Sequence, residues 1–372
     1  MNFISNEHPT VGVEEEFHLI DPVTAELSSV ASDVLARAPK STGDRFCNEL
    51  FESIVESRTR ACGCIDELQA EIVYGRKVLA QITNDVGVRL AAAGSHPFSD
   101  WKKQKIVNSK HYDWVESQFH CVARRLLAMG MHIHVGVKNA DEAFYIMNMM
   151  KRWAPVLIAL SCNSPFFEGE DYGYMSTRMH LFHGLPRTGF LPEFDTMSEY
   201  ESFFKKLKKC GDVRSLSDMW WSIRPKPEFG TVEYRFFDLP TDCWRIGAIA
   251  SLVQAATVFY QNEFYKKRQQ KRCCPAFLNE CLWKSYRDGI DAIVLDPLSG
   301  DIVTIKEMAL NLVKLTRSTA AELGSLKYFE MIETVLLNGT EAHYQKYFAS
   351  THGSDLRELE LDIARRTIIG VV

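Results

Sequence analysis

Apolar and polar residues alternate in several short segments, and this alternation predicts β-strands over the first two thirds of the chain. Residues 10–20 form the first such segment, which ends at the turn-forming pair Asp21-Pro22. The same signal predicts further strands at 88–93, 131–137, 220–224 and 230–238, the last two as a hairpin. These strands do not alternate regularly with helices, which favours an α+β fold over a doubly wound one.

Apolar residues at helical spacing predict helices at 65–85, 111–129, 140–162, 199–209 and 242–265. Pro155 is expected to kink the third of these helices. The chain from about 276 to 372 is expected to be mostly helical. No linker or repeat divides the sequence, so residues 1–372 are predicted to form a single domain. The irregular segment 164–195 is rich in Gly, Pro and aromatic residues, as functional loops often are.

The composition limits the classes of function that the chain can serve. It has 372 residues, of which 46% are apolar and 24% charged, with a net charge of −5. A weakly acidic chain has no general field for nucleic acid, so no nucleic-acid partner is expected. The first residues lack a secretory pattern, and the ten cysteines are expected to be free thiols in the cytoplasm. The apolar stretch 246–253 is too short to span a membrane and predicts a buried core helix.

The first candidate for chemistry is the acidic run Glu14-Glu15-Glu16 in the first predicted strand. Alternate side chains of a strand share a face, so Glu14 and Glu16 point together and Glu15 points away. Two neighbouring carboxylates repel each other unless a cation neutralises them, and magnesium prefers such oxygen ligands. The alternative is an acidic edge strand that faces solvent.

A second acidic segment contains Glu49, Glu52 and Glu56. In a helix all three would share one face, whereas in an extended chain only Glu52 and Glu56 would do so. Either conformation places acids among apolar neighbours, and an amphipathic surface helix is the alternative.

Two later strands carry further polar pairs. His132 and His134 share one strand face and could bind a metal or contact phosphate, or they could be ordinary buried histidines. Glu233 and Arg235 share a face in the predicted hairpin, whose other strand contains Arg224. A carboxylate beside a guanidinium suits a metal ligand next to a phosphate-binding group, because Arg presents a planar fork to oxyanions. An ordinary ion pair is the alternative.

Common signatures of other enzyme classes are missing from the sequence. It contains no Gly-x-x-x-x-Gly-Lys-Ser/Thr, no Gly-x-Gly-x-x-Gly, no Gly-x-Ser-x-Gly and no His-Glu-x-x-His motif. Any ATP site must therefore use a different architecture.

Taken together, these segments resemble the carboxylate–amine ligases of the glutamate–cysteine ligase type 2 family, within the glutamine synthetase superfamily. The resemblance runs from about Val11 to Ala255. Its motifs are Gly12-Val13-Glu14-Glu15-Glu16-Phe17, Gly94-Ser95-His96-Pro97-Phe98, Met131-His132-Ile133-His134-Val135-Gly136, Ala159 to Phe166, and Arg224-Pro225 with Gly230-Thr231-Val232-Glu233-Tyr234-Arg235. Cys162 and Phe167 stand where relatives often carry Ala and Trp, which could alter the acceptor pocket.

The resemblance implies a curved antiparallel sheet around the active site with helices outside, and it implies ATP and two or three Mg²⁺ ions as cofactors. The implied metal ligands are Glu14, Glu16, Glu49, Glu56, His132 and Glu233. Glu14 and Glu16 would bind different ions, with Glu49 and Glu56 nearer the acceptor. His132 and Glu233 would join Glu14 at the ion that bridges the ATP phosphates.

The remaining implied roles concern phosphate and substrate. His134 and Arg224 would contact the nucleotide phosphates, and Arg178 and Arg235 would bind substrate. The predicted catalytic residues are Arg235, Arg224 and Glu56, with a carboxylate near the acceptor taking the proton of the amine. Glu15 and Glu52 are expected to be structural.

The predicted reaction joins a carboxylate such as glutamate to an amine such as cysteine through an acyl phosphate. The partners are thus small molecules, without a membrane, and the resemblance also implies a homodimer. Three alternatives remain open at this point: a zinc hydrolase that uses His132 and His134, a guanidino kinase on the same fold, and a non-catalytic member of the fold.

Overall fold

The computed structural model of the protein describes residues 2–211 and 213–371. Its strands are β1 (Val11–Ile20), β2 (Phe46–Asn48), β3 (Ile54–Arg58), β4 (Arg89–Ala91), β5 (Gly130–Gly136), β6 (Phe166–Phe167), β7 (Glu170–Asp171), β8 (Ile223–Lys226), β9 (Thr231–Asp238), β10 (Ile293–Leu295) and β11 (Ile302–Thr304). Seven of these form one sheet in the order β2-β3-β1-β5-β9-β8, and β4 also pairs with β1. The pairings in this main sheet are antiparallel.

Helices account for most of the remaining chain. They are α1 (Ala31–Ala36), α2 (Ile65–Val86), α3 (Lys110–Phe119), α4 (Cys121–Arg124), α5 (Ala140–Met150), α6 (Ala154–Ser161), α7 (Thr177–Phe182), α8 (Met197–Lys209), α9 (Cys243–Tyr265), α10 (Pro275–Asp288), α11 (Ile305–Glu322), α12 (Leu326–Phe329), α13 (Met331–Asn338), α14 (Glu341–Thr351) and α15 (Leu356–Thr367). The mixture of helices with an antiparallel sheet confirms the predicted α+β class.

The core lies between the main sheet and the helices α2, α5, α6 and α9, which contact strands β1, β5, β8 and β9. Helix α9 is long and apolar enough to cross a membrane by length and composition, but 72% of its most apolar window is buried inside the protein. The predicted core helix is therefore confirmed, because its apolar side chains are covered by the sheet and by helices α2, α5 and α11.

Most predicted elements are confirmed, with two differences in the helices. The predicted helix 111–129 is wrong beyond Phe119, because His120 adopts φ 46° and ends α3 before the short helix α4. The predicted single helix 140–162 is instead α5, a 3₁₀ turn at Lys151–Trp153, and α6. Pro155 lies in the first turn of α6. Backbone N–H groups in a first turn have no partner within the helix, so the N–H that proline lacks costs no hydrogen bond there.

Two other segments are also more regular or shorter than expected. The segment 164–195, predicted as irregular, contains the small hairpin β6–β7 and helix α7. The first strand of the predicted 220–238 hairpin begins at Ile223 rather than at Trp220. The hairpin itself is confirmed, and its register pairs Arg224 with Glu233.

One face of β1 is held to the core by a buried ion pair. Glu15 points away from Glu14 and Glu16, as predicted, and Arg76 of α2 donates from Nε to its Oε1 at 2.8 Å. The same guanidinium donates to the carbonyl oxygens of Pro240 at 2.8 Å and Thr367 at 3.1 Å. Arg76 therefore joins β1, α2, the chain after β9 and the end of α15 at a site from which solvent is excluded.

Replacing Arg76 by Met is expected to destabilise the protein by about 3–5 kcal/mol, because it leaves Glu15 and the carbonyl groups buried without a donor. Urea unfolding followed by circular dichroism measures this loss. Arg317→Met is the matched control, since Arg317 forms an ion pair with Glu330 in which both side chains are about half exposed. The control is expected to change the free energy of unfolding by less than about 1 kcal/mol. Equal losses in the two variants would contradict the role given to Arg76.

Candidate active site

Most of the predicted site residues lie on the other face of the main sheet, across five of its strands. Directly opposite residues of neighbouring strands share a face. The register pairs Glu14 with His132 and Glu16 with Glu56. It also pairs Glu233 with His134 on one side and with Arg224 on the other. The antiparallel register thus brings together residues from β1, β3, β5, β8 and β9 that are far apart in the sequence.

Three carboxylates form the first group, in which Glu16, Glu49 and Glu56 have oxygens within 4.8 Å of one another. Glu16 accepts a hydrogen bond from the backbone N–H of Gly130, and Glu56 pairs with Arg58. Burial raises the pKa of Glu49 well above its usual value, and the neighbouring charges of Glu56 and Glu16 raise it further. This group concentrates negative charge where little water can screen it.

A second group consists of Glu14, His134 and Glu233, whose ligand atoms also lie within 4.8 Å of one another. Burial alone would raise the pKa of Glu14, but the neighbouring imidazoles of His132 and His134 outweigh it and hold the pKa well below its usual value. Burial would also raise the pKa of Glu233, but the charges of Arg224 and Arg235 outweigh this effect and lower the pKa well below its usual value. Both carboxylates are therefore ionised.

The two histidines occupy different places relative to these groups. His134 Nδ1 lies 3.0 Å from Thr231 Oγ1, while its buried Nε2 has no hydrogen-bond partner and lies 3.5 Å from Glu14 Oε1. His132 lies between the groups, with Nδ1 2.9 Å from Glu14 Oε2 and Nε2 3.4 Å from Glu16 Oε1. The structure thus brings His134 together with both Glu14 and Glu233, whereas His132 contacts Glu14 and Glu16. The assignment of His132 as a metal ligand stays a prediction.

These donor sets fit hard divalent cations. Each group offers at least two carboxylates, which are the ligands that magnesium prefers. The buried Nε2 atoms of His132 and His134 lack hydrogen-bond partners and point to a missing cation or donor, since buried polar atoms are normally satisfied. Carboxylates outnumber histidines in the two groups, which favours magnesium over zinc.

The arginines on β8 and β9 both bind Glu233. Arg224 donates to both carboxylate oxygens, with Nη2 3.1 Å from Oε1, and Arg235 donates from Nη1 to the same oxygen. Arg224 also donates from Nη1 to the carbonyl oxygen of Met219 at 2.7 Å. The Nε of Arg235 is buried without a partner. Two guanidinium groups therefore stand beside the second metal-binding group, where an oxyanion could bind.

Arg178 lies directly beneath the site. Its guanidinium is buried against Phe182, and its Nη2 donates to the carbonyl oxygen of Arg235 at 3.3 Å. A Cβ atom at Gly130 would lie 2.1 Å from Nη2, so a larger residue there would require the guanidinium of Arg178 to move. Arg178 does not line the two cavities described below. Its role as a substrate-binding residue stays a prediction.

Two cavities meet at Glu14. The first cavity, of about 330 Å³, is lined by Glu16, Glu49 and Glu56 on one side and by largely apolar side chains on the other. The second cavity, of about 620 Å³, is lined by His134 and by residues from 42–45 and 58–61. Glu14, Arg58 and Lys226 line both cavities. The junction between them thus lies at Glu14, a member of the second candidate metal group.

The motif segments 94–98 and 159–166 are tied to the sheet by Asp238 at the end of β9. Asp238 accepts hydrogen bonds from the N–H of Asn163 at 2.8 Å and from the hydroxyls of Ser164 at 2.7 Å and Ser176 at 2.8 Å. Gly94 passes so close that a Cβ there would lie 2.5 Å from Asp238 Cγ. This network fixes the start of the 164–195 segment, and with it Arg178.

Two site residues were missed from the sequence. Arg58 follows Glu56 by two residues on β3, so both share a strand face, and its guanidinium also lies 4.0 Å from Glu14. The signal was present, since Glu56-Ser57-Arg58 repeats the Glu-x-Arg pattern of Glu233 and Arg235. Lys226 lies two residues beyond Arg224 on β8 and could have been found in the same way. Glu52, expected to be structural, binds the backbone and hydroxyl of Ser32 away from the site.

Comparisons with known proteins agree with this geometry. The model of the glutamate–cysteine ligase family 2 (GCS2) matches residues 10–356. A protein of Chloroflexus aggregans, provisionally named glutamate–cysteine ligase 2, is 35% identical over 363 residues, covering 97% of this chain and 93% of its own. A protein of Herpetosiphon aurantiacus with the same provisional name is 33% identical over 375 residues, covering 100% of this chain and 97% of its own.

Solved structures support the predicted fold. The glutamate–cysteine ligase of Francisella tularensis in complex with AMP has a TM-score of 0.71 at 13% identity, covering 99% of this chain and 90% of that one. A bifunctional glutathione synthetase from Pasteurella multocida has a TM-score of 0.71 at 12% identity, covering 98% of this chain and 52% of that one. The expected glutamine synthetase-like fold is confirmed. On the match over residues 10–356 and the two relatives above 30% identity, the chain belongs to the glutamate–cysteine ligase family 2.

Proposed function

We propose that the protein is an ATP-dependent carboxylate–amine ligase of the glutamate–cysteine ligase type, which forms an amide through an acyl phosphate. The observation that carries the proposal is the junction of the two cavities, where two metal-binding groups stand beside two arginines. Such a junction can bring the terminal phosphate of a nucleotide in one cavity against a carboxylate in the other. Family membership supports the same activity.

The two groups on the sheet would hold the metal ions. Glu16, Glu49 and Glu56 would bind one Mg²⁺, and Glu14, Glu233 and a histidine would bind another. His134 has the geometry for this ligand, while His132 could complete either group. Bound magnesium neutralises phosphate charge and stabilises the oxygens that enter and leave the transferred group.

The second cavity would hold ATP, with its phosphates toward His134 and Arg224. The Francisella glutamate–cysteine ligase was solved in complex with AMP, which supports a nucleotide site on this fold. The first cavity would hold the carboxylate substrate and the amine. Arg235 would bind the substrate carboxylate or the transferred phosphoryl group, since Arg presents several donors in one plane. Arg178, which lines neither cavity, would act only through the backbone of Arg235, whose carbonyl oxygen it binds.

The chain's own residues would perform three tasks. They hold the carboxylate in line with the γ-phosphorus, so that its oxygen displaces ADP and forms the acyl phosphate. They orient the amine, whose nitrogen attacks the carbonyl carbon and breaks the carbon–oxygen bond to phosphate. Glu56 accepts the proton that the amine loses. Positioning of this kind is the main work of a protein in phosphoryl transfer.

The homodimer and the cytoplasmic location expected from the sequence stay predictions, as do glutamate and cysteine as the specific pair of substrates.

Glu14→Gln, Glu16→Gln and Glu233→Gln are each expected to reduce ATP turnover by about a hundredfold or more, because each removes a charged ligand at the junction of the cavities. Magnesium-dependent phosphate release measures the loss, and circular dichroism checks that each variant is folded. Glu52→Gln is the matched control, since its carboxylate binds Ser32 outside the site. Full activity in any of the three variants would remove that residue from the proposed metal site.

Glu49→Gln is expected to stabilise the protein in EDTA, and to do so more at pH 9 than at pH 6. The pKa of Glu49 is raised in the folded protein, so the wild type loses folding stability as pH rises through that raised pKa. The variant has no carboxyl group at position 49 and therefore does not lose this stability. Thermal unfolding in EDTA and in excess Mg²⁺ measures both effects.

Mg²⁺ is expected to raise the unfolding temperature of the wild type and to raise that of the variant less, because the variant has lost a ligand. A variant that is less stable than the wild type in EDTA at pH 9 would contradict the predicted repulsion. An equal Mg²⁺ response in both proteins would exclude Glu49 as a ligand.

A further inference from the structure

Arg58 lies between the two metal-binding groups. The register of β1 and β3 pairs it with Glu14, and it shares a strand face with Glu56. Its guanidinium forms an ion pair with Glu56 of the first group, and its Nε lies 4.0 Å from Glu14 Oε1 of the second group. Its side chain also lines both cavities. One guanidinium of the chain thus approaches both groups and both cavities.

Arg58 is less firmly held than the two other arginines of the site. Arg224 and Arg235 both donate to Glu233. Their side chains are 9% and 15% exposed, whereas that of Arg58 is 46% exposed. Within the part of the chain that the structure describes, Arg58 donates a hydrogen bond from Nε to Glu56, and its Nη atoms donate none. The outer fork of this guanidinium is therefore available to another acceptor.

Glu56 links Arg58 to the first metal-binding group. A divalent cation bound to Glu16, Glu49 and Glu56 would repel the guanidinium, because two positive charges would then share one carboxylate. Arg58 has a long flexible stem, and about half of its side chain already faces solvent, so it can turn away without opening the core. Binding of a cation to the first group would therefore free the guanidinium of Arg58.

The freed guanidinium suits the phosphoryl group that the proposed reaction transfers. This group carries its charge on three peripheral oxygens, and Arg presents a planar fork that binds two such oxygens at once. Lys226 also lines both cavities, but it lies 3.0 Å from Glu228 and offers a point charge without a fork. The observations therefore favour Arg58 for contact with the phosphoryl group.

We infer that Arg58 is a catalytic residue with two successive partners: it neutralises Glu56 in the metal-free protein, and it binds the transferred phosphoryl group when the first group holds Mg²⁺. This inference rests on the proposed function and adds a residue to it. In that step the oxygen of the substrate carboxylate forms a bond to the γ-phosphorus, and the bond from phosphorus to the bridging oxygen of ADP breaks. ADP keeps the electron pair of the broken bond. Arg58 stabilises the charge on the peripheral oxygens and gives up no proton.

Replacing Arg58 by Met separates the two roles, because they act in opposite directions on two measurements. The affinity for Mg²⁺, measured by isothermal titration calorimetry, is expected to rise about two- to fivefold, since the guanidinium no longer competes for Glu56. Phosphate release with ATP, L-glutamate, hydroxylamine and saturating Mg²⁺ is expected to fall about a hundredfold, since the phosphoryl group loses a donor. A general loss of local structure would weaken both.

Two further variants serve as controls, and circular dichroism checks that each variant is folded. Arg317→Met removes an ion-paired arginine that is 50% exposed and lies outside both cavities, and it is expected to leave both measurements unchanged. Arg58→Lys keeps the charge without the fork. It is expected to keep the Mg²⁺ affinity of the wild type and to have no more than about a tenth of its turnover.

The outcomes for Arg58→Met distinguish this inference from the proposed function. Unchanged or weaker Mg²⁺ binding would mean that Arg58 does not compete for Glu56, and this result would overturn the inference. Unchanged turnover in the folded variant would overturn it as well, while the ligase stands. If the wild type itself releases no glutamate-dependent phosphate, the proposed function fails and the inference fails with it.

Chemical rescue provides a second test. In Arg58→Ala the removed side chain leaves room at a half-exposed position, so guanidinium from solution can reach the two cavities. Millimolar guanidinium chloride is expected to raise the turnover of this variant by at least about tenfold, because it restores a donor to the phosphoryl group. Urea, which has a similar shape without the charge, is expected to have no effect, and the wild type is expected to gain from neither. Equal responses of the variant to guanidinium and urea would overturn the inference.

Discussion

Repulsion among the three neighbouring carboxylates of Glu16, Glu49 and Glu56 is the constraint around which the site is built. Glu14, Glu16, Glu49, Glu56 and Glu233 lie close together in a region with little water. Like charges at such distances are costly unless cations neutralise them. Arg58, Arg224 and Arg235 offset part of the cost, and the metal ions of the proposed function would offset the rest. The charge that destabilises the free protein is the charge that would hold magnesium and ATP.

The rest of the fold keeps these carboxylates from moving apart. On the opposite face of β1, the buried pair of Glu15 and Arg76 fixes the strand to helix α2 and to the end of α15. At the far end of β9, Asp238 binds the segment that carries Arg178. A sheet anchored on its back and at its end cannot relieve the repulsion by local movement, so the means of relief are protonation of Glu49 and binding of cations.

The sequence predicted the parts of the site that depend on strand periodicity. The alternation in β1 separates Glu15 from Glu14 and Glu16, and the same period aligns Glu233 with Arg235. Glu49 could not be placed in this way, because it precedes β3 and reaches the site through the path of a loop. The break at His120 was also hidden, since a positive φ at a residue other than glycine leaves no pattern in the sequence.

The apolar residues that line the first cavity show the same limit at larger scale. Val115, Leu126, Leu185 and Trp220 are ordinary apolar residues that belong to separate segments, and only their packing makes them one surface. Periodicity reports which face of an element is buried, but it does not report which elements meet. The carboxylates and arginines of the site could therefore be predicted from the sequence with the family resemblance, whereas the apolar lining of the first cavity required the structure.

Transfer of oxygen from the acid to phosphate tests the central claim most directly. L-Glutamate labelled with ¹⁸O in its γ-carboxylate would be incubated with Mg²⁺, ATP and hydroxylamine, and the released phosphate analysed by mass spectrometry. A ligase that passes through an acyl phosphate transfers one ¹⁸O atom to each released phosphate and forms one molecule of hydroxamate for each phosphate. Phosphate without ¹⁸O, or release of phosphate that does not require glutamate, would contradict the account.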